Sequence, residues 1–311
     1  MSNEPSRRLF LRNVTLGSMA VGSGLPLAAC GGDDDAPAPT APVVSYQHGV
    51  ASGDPLADRV MLWTRVTPAA DGTIAVQWEV ASDEAFTKVV KSGSAETSAD
   101  RDYTVKVDVT GLSAATVYHY RFAVGTQRSP VGRARTLPTG TVERVRLAVF
   151  SCSNYPAGYF NVYAAAARDG AFDAAVHLGD YIYEYGGPDS YGMNSRVAAE
   201  RPHDPPREIV SLDDYRRRHA QYKSDPGLQA AHAKAPWIVV WDDHETATGA
   251  SYVGAASYVG EMRVGIAEHV ELLRDLRSGA LDIALTDTEP PKSERRGIEC
   301  VLLQRTIGES G

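Results

Sequence analysis

Two regions of this chain differ in the spacing of their apolar residues. Between residues 43 and 137, short runs alternate apolar and polar side chains and are separated by turn residues, as in strands with one buried face. The clearest runs lie at 60–66, 74–80, 103–109 and 117–124. The pattern therefore predicts an all-β sandwich over 43–137.

One spacing within this region indicates a type of sandwich. Leu112 and Tyr118 stand six positions apart at the start of the last of these runs. This spacing resembles the tyrosine corner of fibronectin-type sandwiches, in which the tyrosine hydroxyl bonds back to the chain before the strand. We therefore expect a fibronectin-III-like domain.

The second region alternates strand-like and helix-like patterns. The predicted elements are a strand at 145–150, a helix at 160–169, a strand at 174–178, a helix at 213–230 and a strand at 237–241. Strand, helix and strand over about thirty residues form a βαβ unit with parallel strands. We predict an α/β domain over 141–250.

Chemically active residues follow the predicted strand ends of this domain. Cys152, Asp180 and Asp243 each stand just past such an end. In open parallel sheets, ligands gather at the carboxyl ends of the strands, so we expect these side chains to converge. Acidic clusters held in this way suit hard metal cations and metal-dependent hydrolysis.

The first residues predict export from the cytoplasm. Arg7 and Arg8 precede an uncharged stretch that is too short for a membrane span and reads as a twin-arginine signal peptide over 1–29. Its end resembles a lipoprotein cleavage site, so Cys30 is the candidate for lipidation; alternatively the signal is cleaved with no role for this cysteine. The proline-rich segment 30–42 predicts a flexible tether. The expected partners are the export machinery and a membrane, and the expected location is the periplasm or cell envelope.

Composition narrows the class of partner. The formal charge is −8, which argues against a nucleic-acid-binding surface. With Cys30 assigned to lipid, Cys152 and Cys300 are too few for a disulfide framework, although one bridge between them remains open.

Three ordered motifs carry a family resemblance. The segments 151–160, 179–184 and 241–245 resemble PhoD-type alkaline phosphatases and phosphodiesterases, a branch of the calcineurin-like metallophosphoesterases. The segments 49–55 and 60–65 resemble the sandwich that precedes the catalytic domain in that family. The resemblance implies a hydrolase that acts on phosphate monoesters or diesters, and the sequence does not choose between them.

The same resemblance implies a metal centre of iron(III) and calcium. Cys152, Asp180 and Tyr183 would bind the iron, with Asp180 as the bridge to the second metal and Asp243 as a ligand of that metal. Thiolate and phenolate stabilise trivalent iron, whereas calcium prefers oxygen ligands alone.

The implied mechanism is attack on phosphorus by a metal-bound hydroxide. His244 would orient the phosphate or protonate the leaving group, and Asp242 would support the ligands without binding a metal. His177 reads as a core residue, while His203, His219 and His232 read as surface residues. The irregular segment 185–207 is either a lid over the site or a surface insertion.

The family pattern breaks off in the last sixty residues. A Gly-Asp-x-His motif, which completes the iron ligands in this class, does not follow residue 247. Residues 251–311 therefore read as an atypical tail, either out of frame or part of a truncated, inactive fragment. The α/β domain is expected to be incomplete.

Two other functions fit parts of the pattern. A lipid-anchored binding module would use the sandwich and hold a structural calcium at the acidic motifs. The other alternative is a related metal-dependent hydrolase, such as a nucleotidase or a purple acid phosphatase-like enzyme. Purple acid phosphatases also bind iron through tyrosine and aspartate, but a cysteine ligand is not part of their pattern, so Cys152 separates the two assignments.

Overall fold

The computed structural model describes most of the chain between residues 41 and 246. The described ranges are 41–142, 144–187 and 196–246, with the backbone of two further strands at 284–285 and 299–306. The predicted signal, Cys30 and most of the tether lie outside the described residues, as does most of the predicted tail. In the described ranges, no helix has the length and apolar character needed to cross a membrane.

Strands predominate in the first region and helices enter in the second. The strands are β1 (Val44–Ser45), β2 (Val50–Gly53), β3 (Arg59–Arg65), β4 (Thr67–Pro68), β5 (Ile74–Ala81), β6 (Val89–Thr97), β7 (Thr104–Thr110), β8 (Val117–Val124), β9 (Gln127–Arg128), β10 (Gly132–Arg135), β11 (Arg144–Ser151), β12 (Ala174–His177), β13 (Pro236–Val239), β14 (Ala284–Leu285) and β15 (Glu299–Thr306). The helices are α1 (Asn161–Asp169), α2 (Leu212–Lys223) and α3 (Pro226–His232).

The first region contains the two β-layers that alternation predicts. One sheet has the antiparallel order β10-β8-β5-β6, with β9 beside β8, and the strands β2, β3 and β7 form the second layer. Strand β8 alternates buried and half-buried residues along its whole length, which places Tyr120 and Phe122 in the core. The hydroxyl of Tyr118 accepts a hydrogen bond of 2.9 Å from the Ser113 amide, as the Leu112–Tyr118 spacing predicts.

The second layer does not end at the boundary of the sandwich region. The larger sheet has the order β14-β15-β11-β12-β13-β2-β3-β7, in which β2 pairs parallel with β13. Gly53 makes this contact close, since a Cβ atom there would lie 3.0 Å from the Trp237 carbonyl oxygen. The two regions therefore share one continuous sheet.

The α/β half follows the predicted βαβ order. Strands β11 and β12 are parallel with α1 between them, and β13 extends the parallel set. Phe150 packs between Tyr163, at 4.6 Å between ring centroids, and Trp237, at 5.3 Å. These contacts attach α1 to the sheet and fix the strand ends that carry the site.

The predicted helix at 213–230 is two helices. Ser211 caps α2 in a reciprocal pair with Asp214. Asp225 caps α3 by accepting from the amides of Gly227 and Leu228, and Pro226 takes the first helical position, where its missing N–H costs nothing. The break arises because an aspartate and a proline start a new helix here.

The predicted tail contains regular structure despite its weak periodicity. Strand β15 pairs antiparallel with β11 over eight residues, from Glu299 beside Ser151 to Thr306 beside Arg144. Strand β14 pairs with β15 in turn. The remainder of 251–311 lies outside the described residues.

Candidate metal centre

The loops after β11 and β12 come together through their backbones. The Cys152 amide donates to the Gly179 carbonyl oxygen at 3.3 Å, and the Ser153 amide donates to the Asp180 carbonyl oxygen at 2.8 Å. These bonds place both loops at the carboxyl edge of the sheet, where ligands collect in parallel sheets.

Three of the predicted ligand side chains meet at this edge. The Cys152 sulfur lies 3.5 Å from Oδ2 of Asp180, and the Tyr183 hydroxyl lies 3.2 Å from the same oxygen. Asp180 and Tyr183 are buried, whereas Cys152 is exposed and its thiol is free, so no bridge to Cys300 is formed. A thiol, a carboxyl and a phenol thus surround one point that opens to solvent.

The backbone at this point is held in an uncommon conformation. Cys152 and Asp180 have φ angles of +61° and +52°, and Gly179 has +107°. Left-handed backbone at residues other than glycine is uncommon, and such strain collects at functional sites. Gly179 also allows the loop after β12 to approach the chain after β13, because a Cβ atom there would lie 2.6 Å from the Asp242 amide nitrogen.

Glu245 holds the site together, although its role was not predicted from the sequence. Its buried carboxylate accepts hydrogen bonds from the amides of Asp180 at 3.0 Å, Tyr181 at 2.5 Å and Asp242 at 2.7 Å. Burial raises its pKa to about 7, against the lowering effect of these amides. The last acidic residue of the 241–245 motif therefore connects the Asp180 loop to the chain after β13.

His244 is positioned by a second residue that the sequence did not reveal. Its Nδ1 lies 2.8 Å from Oε2 of Glu184, which is buried. The imidazole stacks on Tyr183 at 4.2 Å between centroids and meets the edge of Tyr185 at 5.3 Å. His244 thus lies beside one of the candidate ligands in a fixed orientation.

A buried arginine anchors the segment that carries Tyr183. The Arg218 guanidinium donates to main-chain carbonyl oxygens at both ends of the candidate lid, residues 185–207. At the first end the acceptors are Tyr183 and Tyr185, the latter at 2.7 Å. At the second end they are Asp204 at 3.1 Å, Pro205 at 2.9 Å and Arg207 at 3.4 Å. Desolvation lowers its pKa to about 10. Residues 188–195, in the middle of the candidate lid, lie outside the described residues.

The donor atoms fit a cation. Oδ1 of Asp180 is buried and has no hydrogen-bond partner among the described residues. Burial and the neighbouring Asp180 raise the pKa values of both Cys152 and Tyr183, so ionisation of the thiol and the phenol is opposed unless a positive charge is present. Thiolate, phenolate and carboxylate together suit a trivalent iron better than calcium.

Two further predicted site residues, Asp242 and Asp243, lie on the chain after β13. The Asp243 side chain lies outside the described part of the structure, although its backbone begins a short 3-10 turn. Asp242 is exposed and contributes its amide to Glu245. Within the described ranges, no group of three or more His, Cys, Asp or Glu side chains is arranged to hold a metal, so the three-residue set depends on Tyr183.

Three histidines that were predicted to be at the surface are buried instead. His203, His219 and His232 lie in the interior, and His177 is buried as predicted. For His219 the prediction was wrong because the buried face of α2 carries polar residues, among them Arg218, so that apolar periodicity gave no sign of burial. His203 and His232 lie within hydrogen-bonding distance of the buried hydroxyls of Tyr222 and Tyr181, partners that the sequence pattern did not indicate.

Comparison with known proteins places both regions in one family. A family model described as PhoD-like phosphatase matches residues 147–275, and one described as PhoD-like phosphatase, N-terminal domain, matches residues 34–138. The first match extends past residue 250, into the predicted tail.

Individual relatives agree with these models. Alkaline phosphatase D of Bacillus subtilis (strain 168) is 42% identical over 255 residues, which is 78% of this chain and 42% of the relative. A solved structure described as the structure of PhoD is 45% identical with a TM-score of 0.60, and the match covers 64% of this chain and 39% of that one. The chain spans about two-fifths of the length of these relatives.

Proposed function

The chain belongs to the PhoD-like phosphatase family, and we propose that it hydrolyses phosphate esters at the site formed by Cys152, Asp180 and Tyr183. The observation that carries the proposal is the meeting of these three side chains at Oδ2 of Asp180, while Oδ1 is buried and has no hydrogen-bond partner in the part of the chain that the structure describes. Phosphate monoesters and diesters both fit this chemistry.

The proposed metals are iron(III) and calcium. Cys152, Asp180 and Tyr183 would hold the iron, and Asp180 and Asp243 would hold the calcium. When bound, the two cations would activate water and neutralise the phosphate oxygens. The thiol and phenol donors count against the alternative of a binding module with a structural calcium, because calcium prefers sites built from oxygen alone.

His244 is proposed as the proton donor to the leaving group. In the proposed tautomer Nδ1 donates to Glu184, whose Oε2 lies 2.8 Å away, and Nε2 carries the proton that is transferred. Stacking on Tyr183 holds the ring beside the donor set. Glu245 and Arg218 support the donor side chains indirectly. Glu245 fixes the main chain at Asp180, and Arg218 fixes it at Tyr183.

Export and domain type complete the proposal. We propose that residues 1–29 direct twin-arginine export, that Cys30 carries a lipid, and that the protein works in the periplasm or cell envelope. The motif at Arg7 and Arg8 and the proline-rich segment after Cys30 support this. The tyrosine-corner hydrogen bond supports a fibronectin-type sandwich for residues 43–137.

The test is metal analysis combined with an esterase assay. Protein matured in its native host should contain iron and hydrolyse bis-p-nitrophenyl phosphate or p-nitrophenyl phosphate. Cys152→Ser should lower the iron content and the activity at least about tenfold, because a hydroxyl is a weaker anionic donor than a thiol. Cys300→Ser is the matched control and should keep both.

The possible results distinguish a wrong metal-ligand set from a missing esterase activity. Iron that is retained by Cys152→Ser would contradict the proposed ligand set. Iron without hydrolysis of either ester in the unaltered protein would leave the metal site standing and contradict the proposed function, as expected for an inactive fragment.

A second variant tests the proton donor. Glu184→Gln keeps a hydrogen-bond acceptor for His244 but removes the charge that favours the protonated ring, so we expect kcat to fall about tenfold. The iron content should not change. Glu208→Gln, an exposed carboxylate on the same connecting segment, is the control and should leave kcat unaltered. An unchanged kcat in Glu184→Gln would exclude this carboxylate from the proton transfer.

A further inference from the structure

A cavity lies behind the candidate metal centre, on one face of the larger sheet. Strands β2, β3 and β13 form its floor, and α2 and α3 bound it. Trp63, Trp237 and Trp241 line it, and its volume is about 130 Å³. Tyr181 and Glu245, which hold the Asp180 loop, also line the cavity, whereas none of the three proposed iron ligands does.

A lysine projects from α2 into the wall of this cavity. Lys223 is 6% exposed, and its Nζ lies 4.7 Å from the Trp63 ring centroid and 5.1 Å from that of Tyr181. Its hydrogen bond goes to the Tyr181 hydroxyl at 3.1 Å. In the described residues no carboxylate lies within ion-pairing distance of this amine.

The surroundings favour the neutral amine. Buried lysines are almost always paired with an opposite charge, because an unpaired ammonium loses its hydration. Desolvation lowers the pKa of Lys223 to about 7. The imidazoles of His177, His219 and His232 face it from β12, α2 and α3, and their pKa values are lowered by burial and by the charge of Lys223. An imidazole carries either no charge or a positive one, so these rings offer the ammonium no stabilising negative charge.

The size and walls of the cavity define what it can hold. A cavity of about 150 Å³ with apolar walls is known to bind benzene. This cavity is similar in size. Its walls are mainly apolar and carry three indole rings, which favour a flat aromatic partner, although the side chains of Asp54, Lys106 and Glu245 also line it. A neutral primary amine in an apolar pocket is the arrangement that forms Schiff bases with carbonyl compounds.

We propose that Lys223 is a covalent capture site, at which the amine condenses with a small aromatic aldehyde that enters the cavity. The nitrogen lone pair attacks the carbonyl carbon to form the C–N bond, and the carbonyl oxygen takes up a proton. The nitrogen then loses its proton, water leaves, and a C=N bond remains. One amine and one aldehyde give one imine and one water, and no electrons are exchanged. The step uses none of the proposed iron ligands and does not use His244.

The experiment labels the full chain with benzaldehyde and cyanoborohydride at pH 7. The reductant converts the imine to a stable benzylamine, which peptide mass spectrometry locates. An exposed lysine has about one neutral amine in 2,500 at this pH. We therefore expect Lys223 to be labelled at least about tenfold faster than the exposed Lys88 and Lys234, which serve as internal controls. Equal or slower labelling of Lys223 would overturn the proposal.

Two further measurements test entry through the cavity. A pyrene aldehyde exceeds the cavity volume and should lose the preference for Lys223 in the unaltered protein. Met61→Trp should fill the cavity and slow benzylation of Lys223 about fivefold without affecting Lys88. If this variant fails to fold, the comparison of benzaldehyde with the pyrene aldehyde decides. If both aldehydes label Lys223 with the same preference over Lys88, the amine must be reached by local unfolding, which would contradict capture in the cavity.

Discussion

Lowering the pH from 7 to 5 is expected to reduce the free energy of unfolding by about 6 kcal/mol. Burial, the largest cause, lowers the pKa of His48 to about 4 and those of His177 and His203 to about 3. In the unfolded chain a histidine binds a proton near pH 6.5, so below that pH the unfolded state holds more protons and the stability falls. At pH 5 each such histidine costs about 2 kcal/mol.

Other buried groups change this balance only in part. The pKa values of His219 and His232 are also well below the ordinary value, which adds to the loss. Glu245 opposes it, because its raised pKa of about 7 lets the folded state take up a proton first. A domain is stable by about 5–15 kcal/mol, so we expect unfolding near pH 5.

Urea titrations followed by circular dichroism at pH 7, 6 and 5 would measure this effect. His177→Phe removes one titrating ring and should reduce the slope of stability against pH by about 1.4 kcal/mol per pH unit near pH 5. Phe172→Leu, which changes a buried ring that carries no titrating group, is the control and should keep the original slope. A slope that is the same in all three proteins would show that His177 does not titrate on unfolding.

Replacing Arg218 by methionine should destabilise the protein by about 4 kcal/mol. The side chain is fully buried, and its guanidinium donates hydrogen bonds to carbonyl oxygens at both ends of the 185–207 segment. Without it these buried oxygens lose their donor, and each unsatisfied group costs about 1–3 kcal/mol, some of which water recovers. The Tyr183 main chain would also lose its anchor, so the iron content should fall.

The neighbouring Arg217 provides the matched control. Its guanidinium is exposed and pairs with Asp204 at the surface, where ion pairs contribute about 0–1 kcal/mol. Arg217→Met should therefore change the free energy of unfolding by less than about 1 kcal/mol in urea titrations. Arg218→Lys should fall between the two, since an ammonium cannot reach carbonyls in several directions. Equal stabilities of the two methionine variants would refute the anchoring role.

Alternation and strand-end chemistry predicted the parts of the fold in which one face is apolar. Strands β3, β5, β7 and β8 lie within a residue of their predicted positions, and so does α1. Strand β6 was missed because its residues are mostly exposed or half-buried and carry little apolar alternation. Strand β2 was missed because its residues, Val50–Gly53, form neither an alternating pattern nor a continuous apolar run.

The candidate site was predictable where a residue type has a chemical preference. The placement of Cys152 and Asp180 after strand ends predicted that they converge, whereas the ligand role of Tyr183 was implied by the family resemblance. The structure brings those three side chains together. Glu184 and Glu245 act through hydrogen bonds to a ring and to amides, and a glutamate in a sequence gives no sign of such a partner. Arg216, Arg217 and Arg218 are consecutive, and only helical phase and packing decide that the third is buried.

The parallel pairing of β2 with β13 has a consequence for solubility. A sheet that ends in an unpaired strand offers free amides and carbonyls to any passing chain, and aggregation begins at such edges. Here β3 lies on one side of β2 and β13 on the other, so each half of the molecule covers the open border of its neighbour. Cutting the chain near residue 140 and separating the pieces would expose one edge of β2 and one edge of β13. Each piece would then carry an unpaired strand edge that favours aggregation.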